Sequence, residues 1–144
     1  MTSKIFPTAQ DAENAFYEAF QRGDLDGMMA VWAEDEDIIC VHPGGARLCG
    51  QDQVRASWAQ IFAGEARARV EVTEQVAVTG MMIAVHSVHE RFVVERSPSP
   101  VPILATNVYL RTAAGWRMIV HHASPAPMQA PPTQPQEAPP KFLH

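Results

Sequence analysis

The sequence lacks the features that direct a chain to a membrane or to nucleic acid. It contains no apolar run of about 18 residues, the length that a membrane-spanning helix needs, and no apolar stretch of signal-peptide length near its N-terminus. Positive charge is also scarce, since 11 Lys and Arg face 16 Asp and Glu and no basic block occurs. We therefore expect a cytoplasmic protein whose main partner is neither a nucleic acid nor a membrane surface.

The short motifs of nucleotide and dithiol chemistry are missing as well. No GxSxG, Walker loop, GxGxxG or CxxC is present, so we expect no cofactor. The only two cysteines, Cys40 and Cys49, flank a predicted turn at residues 42–45. If that turn closes a hairpin, the two thiols lie nearly opposite each other. They then either form a disulfide or stay reduced and buried, as the cytoplasm favours.

The sequence does contain enough apolar residues for one globular domain. Of its 144 residues, 47% are hydrophobic. Thr8 is placed to cap a first helix that Gly23 ends, because apolar residues recur between them at helical spacing. Asp24 can cap a short second helix, and a third helix follows Gly50.

Strand patterns follow the helical ones. A short β-branched strand is predicted at Ile38–Val41, before the third helix. After Gly64 the apolar period changes to two, which predicts four long strands near residues 70–78, 82–95, 103–112 and 116–123. Helices gathered on one face of such an antiparallel sheet make an α+β domain. The order of the elements suits a half-open cone better than a sandwich.

The C-terminal segment differs from the rest of the chain. Beyond Ser124 the sequence reads PAPMQAPPTQPQEAPP, which has many prolines and no apolar period. We therefore divide the chain into a domain at residues 1–124 and a disordered or polyproline-like tail at residues 125–144. Composition favours a simple extension over a ligand for a proline-reading domain.

Two segments resemble a known family. FYEAFQRGDLDGMMAVWAEDEDIICVHPGG resembles the opening of the SnoaL-like and ketosteroid-isomerase-like branch of the NTF2-like superfamily, and ATNVYLRTAAGWRMIVHHASP is similar to its last hairpin. The similarity runs from about Ala9 to Ser124. It implies an NTF2-like (cystatin-like) cone, in which three N-terminal helices pack against a strongly curved, mostly antiparallel sheet around a pocket. This fold hosts many functions, so the resemblance fixes no activity.

The resemblance also implies site residues. Where a ketosteroid isomerase has a proton-shuttling Asp before Pro, this sequence has His42-Pro43. Phe16 falls on the tyrosine that donates to the oxyanion, with Tyr17 one residue away, and Asn107 falls on the second donor. An imidazole can act as a base and an amide as a weaker donor, whereas Phe16 keeps no polar group.

The strand pattern predicts a polar row, and the resemblance implies that this row faces the inside of the cone. If the Ser-Pro loop and the Ala-Gly turn are the centres of two hairpins, His89 lies opposite Asn107, and Asn107 lies opposite His122. Directly opposite side chains share a face, and a slip of one residue would exchange the faces. Arg91 lies one step further along this row, so its charge needs an acid such as Glu65 or the carboxylate of a ligand.

These arguments predict two sets of site residues. The catalytic candidates are His42, Asn107 and His122, and the candidate ligand contacts are Phe16, Tyr17, Trp32, Trp58, His89, Arg91 and Tyr109. A lone strand histidine is also common as a hydrogen-bonded lining residue. Three histidines can bind zinc, but their spacing forms no tight ligand motif, and we expect no metal.

The opposite face of the sheet is predicted to be apolar too. It carries Met82, Val88, Phe92, Leu104, Val108, Leu110 and Ile119. A sheet with one face in water alternates more cleanly between apolar and polar residues. Two apolar faces indicate that the outer one is also covered, and the resemblance implies a homodimer through this outer sheet face.

The function expected from the sequence is the binding of a small apolar or carbonyl- or carboxylate-bearing molecule. As an enzyme, such a protein would abstract a proton beside a carbonyl, in an isomerisation, cyclisation or dehydration. His42 or His122 would be the base, and Asn107 with His89 would polarise the carbonyl. The alternative is a non-catalytic dimeric association module.

Overall fold

A computed structural model describes residues 4–34, 37–64, 69–93 and 102–127. The helices are α1 (Ala9–Arg22), α2 (Leu25–Val31) and α3 (Gly50–Ala63). The strands are β1 (Ile39–Val41), β2 (Leu48–Cys49), β3 (Arg69–Thr79), β4 (Ile83–Val93), β5 (Pro102–Thr112) and β6 (Gly115–Pro125). The predicted α+β class and the helices-first order are confirmed. Residues 128–144 of the predicted tail lie outside the described residues.

The helix boundaries follow from local capping. The Thr8 side chain accepts a hydrogen bond from the backbone N–H of Asp11 at 3.0 Å, and Gly23 ends α1 in the left-handed conformation with φ 65°. Asp24 then caps α2 by accepting from the N–H of Gly27 at 3.0 Å. These side chains satisfy backbone groups that the helix itself leaves free, so the predicted helix ends are confirmed.

The six strands of the described residues form one sheet in the order β2-β1-β6-β5-β4-β3. β1 pairs with β6 in parallel, and the other neighbours are antiparallel. The two-residue strand β2 is too short to show a period and was not predicted. Cys49 in β2 faces Ile39, while Cys40 faces Leu48, and both thiols are free. Cys40 is buried but Cys49 is exposed, so the prediction of two buried thiols is wrong for Cys49.

Two β-bulges interrupt the ladders. In β6, Val120 pairs with Val108 and Met118 pairs with Tyr109, which leaves Ile119 as an extra residue. In β3 the register shifts between Thr73 and Val76, where Glu74 has a positive φ of 51°. An extra residue in one strand exchanges the side chains that face inward and outward beyond it, and it also bends the strand.

The core lies between the helices and the concave face of the sheet. Its largest members are aromatic: Phe16 and Trp58 meet edge to face at 5.6 Å between ring centroids, and Trp32 meets Phe16 at 6.5 Å. Phe20 and Phe62 extend this cluster towards α3. Packing of this kind stabilises the domain beyond the burial of area alone.

The outer face of the sheet is partly apolar, as predicted, but its membership differs. Leu104 is exposed there, whereas Val88 is fully buried in the core and Phe92 packs against Phe20. The reason is that β4 presents the opposite set of side chains to the interior from the one predicted. Val76 and Val78 are 65% and 68% exposed and join the outer face. None of the described helices is long and apolar enough to span a membrane.

Candidate functional site

The predicted row of His89, Asn107 and His122 is wrong at its first member. β4 pairs with β5 so that His86 faces Asn107, and Arg91 faces Pro102. The sequence analysis assumed a loop centre that pairs His89 with Asn107, whereas His89 faces Leu104 in the structure. Each predicted β5 partner thus lies three positions later in the chain than the observed one. Three is an odd number, so the error exchanges the inner and outer faces of β4.

The row is also wrong at its last member. Asn107 faces His121, whereas His122 faces Thr106. The bulge at Ile119 adds one residue to β6, so that His121 rather than His122 points inward beyond it. His121 is buried and His122 is exposed.

The outward residues of β4 are not placed to bind a ligand in the interior. His89 is half-buried on the outer face, with Nδ1 3.1 Å from Oε2 of Glu74. Arg91 is exposed on the same face, so the predicted contact with a ligand carboxylate inside the cone is wrong. Glu65, the alternative partner of Arg91, lies outside the described residues.

A hydrogen-bonded chain crosses the core instead. The hydroxyl of Tyr17 on α1 donates to Oε2 of Glu90 on β4 at 2.6 Å. The Nδ2 of Asn107 on β5 donates to the Tyr17 oxygen at 2.9 Å, and Oδ1 of Asn107 lies 2.6 Å from Nδ1 of His121 on β6. Four elements thus contribute one buried polar side chain each.

Burial determines the pKa values within this hydrogen-bonded chain. It raises the pKa of Glu90 to about 7, although the Tyr17 hydrogen bond acts to lower that pKa. Burial lowers the pKa of His121 to about 3, with smaller contributions from His42 and His122, so His121 is neutral near pH 7. The pKa of Tyr17 lies well above its ordinary 10, first because of burial and then because of the charge of Glu90.

The donor and acceptor groups of these side chains determine the direction of each hydrogen bond. An ionised Glu90 can only accept, so Tyr17 must donate to it and must itself accept from the amide of Asn107. The Asn107 carbonyl then faces His121, whose Nδ1 carries the proton. Each donor therefore points towards Glu90 whenever that carboxyl is ionised.

A second buried cluster surrounds Glu13, one turn before Tyr17 on α1. Its Oε2 lies 2.6 Å from Nδ1 of His86 and accepts from the Tyr109 hydroxyl at 2.9 Å. Its Oε1 accepts from the side-chain amide of Gln75 at 2.8 Å. Burial, followed by the charge of Glu13, raises the pKa of Tyr109 well above 10. The bulge at Glu74 is what brings Gln75 within reach of α1.

The two clusters meet at a cavity between α1 and β3. Its volume is about 610 Å³, and it is lined by Gln10, Glu13, Asn14, Tyr17, Glu18, Gln21, Arg22, Val70, Val72 and Gln75. Among these residues, Glu13 and Tyr17 are the buried ionisable ones. Each belongs to one of the clusters, so the groove gives a small molecule access to both. We take the α1–β3 groove, with these two networks behind it, as the candidate site.

Of the predicted site residues, Tyr17 lines this groove and the others do not. Phe16, Trp32 and Trp58 are fully buried core residues, and the indole N–H groups of both tryptophans have no hydrogen-bond partner in the described part of the chain. His42 is half-buried, with Nε2 3.1 Å from the Ser57 hydroxyl and its ring 4.8 Å from that of Trp58. Burial lowers the pKa of His42. Asn107, Tyr17 and Tyr109 belong to the two networks, whereas His42 does not.

Five polar residues of the two networks were missed by the sequence analysis: Glu13, Gln75, His86, Glu90 and His121. Glu13 lies between Ala12 and Phe16 on the apolar stripe of α1, and Glu90 lies between Val88 and Phe92 in the apolar set of β4. A charge inside an apolar pattern was a usable signal in both cases. Within the described ranges, no three His, Cys, Asp or Glu side chains are grouped so as to hold a metal ion.

Comparisons with known proteins agree with this fold. Residues 10–129 match the family model of a SnoaL-like domain. A search of curated proteins finds no match. The structure is similar to one from Thiobacillus denitrificans, provisionally assigned as a calcium/calmodulin-dependent protein kinase type II association domain. The two sequences are 43% identical over 86% of this chain and 99% of the other, with a TM-score of 0.81.

Two further structures extend the comparison. A protein from Streptomyces avermitilis, provisionally assigned as a dehydratase of the NTF2-like family, is 32% identical over 80% of this chain and 91% of its own, with a TM-score of 0.73. An NTF2-like protein of unknown function from Pseudomonas putida has the same TM-score at 19% identity, over 83% and 86% of the two chains. The latter similarity shows the fold alone, and it agrees with the predicted NTF2-like cone.

Proposed function

Because the chain belongs to the SnoaL-like family of the NTF2-like superfamily, we propose that it binds a small molecule in the α1–β3 groove and exchanges a proton with it. The observation that carries this proposal is the position of Glu13 and Tyr17. Both are buried, both line the groove, and each leads into a network of buried polar side chains. Buried ionisable groups in a cleft are typical of functional sites.

The Tyr17–Glu90 pair supplies a route for the proton. With the pKa of Glu90 near 7, its carboxyl can take up or release a proton near neutral pH. A proton that leaves the ligand passes to the Tyr17 oxygen while the Tyr17 proton passes to Glu90, so that the tyrosine stays neutral. Asn107 positions Tyr17 for this step by donating to its oxygen.

The reaction class that fits is proton abstraction beside a carbonyl, followed by isomerisation or loss of water. The similarity to the S. avermitilis protein, which is provisionally assigned as a dehydratase, supports this class. The base in this scheme is Glu90 acting through Tyr17, with Glu13 as a second carboxylate at the groove. The catalytic role of His42 stays a prediction, since His42 is not a lining residue of the groove and its ring lies 4.8 Å from that of Trp58 and 6.5 Å from that of His121.

A thermal-shift panel of hydroxyketones, diketones, carboxylates and amines tests the binding part of the proposal. A ligand that binds only the folded protein raises the melting temperature with its concentration. Hits are expected to weaken in Glu13→Gln, which alters the groove floor, and to persist in Asp26→Asn, which removes an exposed carboxylate outside the groove. A panel without hits, or hits that are indifferent to Glu13→Gln, would contradict the proposal.

A second candidate function is a homodimeric association module, which is compatible with the first. The outer sheet face exposes Val76, Val78, Ile83, Val85 and Leu104, and apolar patches of this kind mark interaction sites. The similarity to the T. denitrificans structure, provisionally assigned as an association domain, points the same way. Light scattering after gel filtration should show a dimer that the double variant V78K/V85K converts to a folded monomer. A monomeric wild type would exclude this interface.

A further inference from the structure

The charges around the groove are unequal. Its lining contains two carboxylates, Glu13 and Glu18, and one cation, Arg22. Nη2 of Arg22 lies 3.0 Å from Oε1 of Glu18 at the exposed rim, so the positive charge is already compensated there. Glu13 lies at the floor, with Nδ1 of His86 2.6 Å from its Oε2. The low exposure of the Glu13 side chain strengthens its interaction with a charged ligand. An anionic ligand would therefore approach a carboxylate, and among the described residues of the lining it would find no cation without an acidic partner.

The polar hydrogens of the Tyr17 hydroxyl and the Gln75 amide are already used in hydrogen bonds within the protein. Tyr17 gives its proton to Glu90, and the Gln75 amide donates to Glu13 and to Gln10. What these groups can still offer to a ligand are acceptors: the lone pairs of the Tyr17 oxygen, the Glu13 carboxylate and the Gln75 carbonyl. A primary ammonium group has three donors and no acceptor, and it is complementary to such a floor.

The walls of the groove suit the rest of an aliphatic molecule. Val70 is buried and Val72 half-buried on β3, and both contribute apolar surface to a cavity of about 610 Å³. The net charge of the chain, −5, also favours the approach of a cation.

We propose that the ligand of the α1–β3 groove carries a primary ammonium group on an aliphatic chain, with the ammonium bound between Glu13, Tyr17 and Gln75. This inference rests on the proposed function, since it names the ligand class of the same site. It departs from the carboxylate-bearing ligand expected from the sequence, which depended on an inward Arg91.

Three probes of matched shape test this inference: hexylammonium, hexanoate and 1-hexanol. Each is titrated into the ¹⁵N-labelled full chain, and the backbone amide signals of β3 report binding in the groove. Hexylammonium is expected to cause saturable shifts and to bind at least about tenfold tighter than hexanoate, a factor that corresponds to about 1.4 kcal/mol. The alcohol should fall between the two, because it has a donor but no charge.

Variants test which residues make the groove prefer an ammonium group to a carboxylate. Glu13→Gln should weaken hexylammonium by about tenfold and leave 1-hexanol nearly unchanged, whereas Asp26→Asn, which removes an exposed carboxylate of α2 outside the lining, should leave both nearly unchanged. Because Glu13 takes part in three hydrogen bonds, two of them buried, Glu13→Gln can also perturb the fold. Asn14→Lys avoids that difficulty, since Asn14 is an exposed residue of the lining. The added cation should abolish hexylammonium binding and admit hexanoate.

The outcomes separate the two proposals. Hexanoate binding as tightly as hexylammonium, or hexylammonium binding indifferent to Asn14→Lys, would overturn the ammonium inference and leave the groove as a ligand site. Failure of hexylammonium to move any β3 amide would also overturn the inference. The proposed function would also be contradicted only if the wider thermal-shift panel identified no ligand of the groove.

Discussion

Replacement of Glu90 by glutamine should change how the stability of the protein depends on pH. The pKa of Glu90 rises from its ordinary 4.5 to about 7 in the folded protein, mainly because of burial. Below pH 4.5 the carboxyl is protonated in both the folded and the unfolded chain. As the pH rises towards 7, the unfolded chain releases the proton first, so the folded state loses stability. The gap between the two pKa values corresponds to a loss on the order of 3 kcal/mol.

The variant E90Q removes this loss, because a glutamine does not ionise and its carbonyl can still accept from Tyr17. Relative to the wild type, E90Q should gain about 3 kcal/mol between about pH 5 and about pH 8. Urea unfolding at several pH values, followed by tryptophan fluorescence, gives the free energy of unfolding of each protein. Glu18→Gln is the matched control, since Glu18 is an exposed residue of α1 and should show no such gain.

The difference between the two proteins isolates Glu90 from the other buried groups. His121 has a pKa lowered to about 3, so the unfolded chain takes up its proton first as the pH falls below 6.5. That contribution weakens the fold in acid in both proteins and cancels in the comparison. A free-energy difference between E90Q and wild type that stays constant from about pH 5 to about pH 8 would refute the reasoning, because Glu90 would then have an ordinary pKa.

Three further changes should lower stability, each measurable by urea unfolding. Thr8→Ala removes the N-cap of α1 and should cost about 1 kcal/mol, whereas Thr8→Ser should cost little. Gly115→Ala places a Cβ 2.9 Å from the backbone N and O of Phe6 at a φ of 92°, so it should cost more than about 1 kcal/mol; a neutral result would contradict the close approach. Asn107→Leu leaves Tyr17 and His121 without their shared partner and should cost about 2 kcal/mol or more, unlike His122→Leu on the exposed side of the same strand pair.

The helices could be predicted from the sequence because their ends depend on neighbouring residues. Thr8, Gly23 and Asp24 act on backbone groups within a few positions of themselves, and the structure confirms all three. The α+β class also follows from the order of periodic segments, which is a property of the whole chain. These features needed no knowledge of how distant strands align.

The polar row could not be predicted in the same way, because it depends on register. An error of three residues between β4 and β5 placed His89 instead of His86 opposite Asn107. Between β5 and β6 the turn lies one residue earlier than assumed, since Thr112 pairs with Gly115, and the extra residue at Ile119 then places His121 rather than His122 opposite Asn107. No pattern in the sequence marks that bulge. Asn107 was predicted on the correct face because β5 alternates regularly between its ends.

The acidic members of the site were predictable but were overlooked. Glu13 and Glu90 each interrupt an apolar pattern, and a buried carboxylate needs partners that only a folded network supplies. Searching the predicted apolar faces for charges would have identified both residues before their partners were known. The partners themselves, among them Gln75 at the β3 bulge, required the three-dimensional arrangement.

The measurement that tests the central claim most directly is a titration of the best-binding small molecule into three labelled proteins: wild type, Tyr17→Phe and His42→Ala. Tyr17 belongs to the groove and its proton route, whereas His42 represents the site expected from the sequence. We expect the ligand to shift the amide signals of α1 and β3, and we expect Tyr17→Phe, but not His42→Ala, to weaken ligand binding. Binding that survives Tyr17→Phe and is lost in His42→Ala would contradict the proposed site and place the ligand near His42 instead.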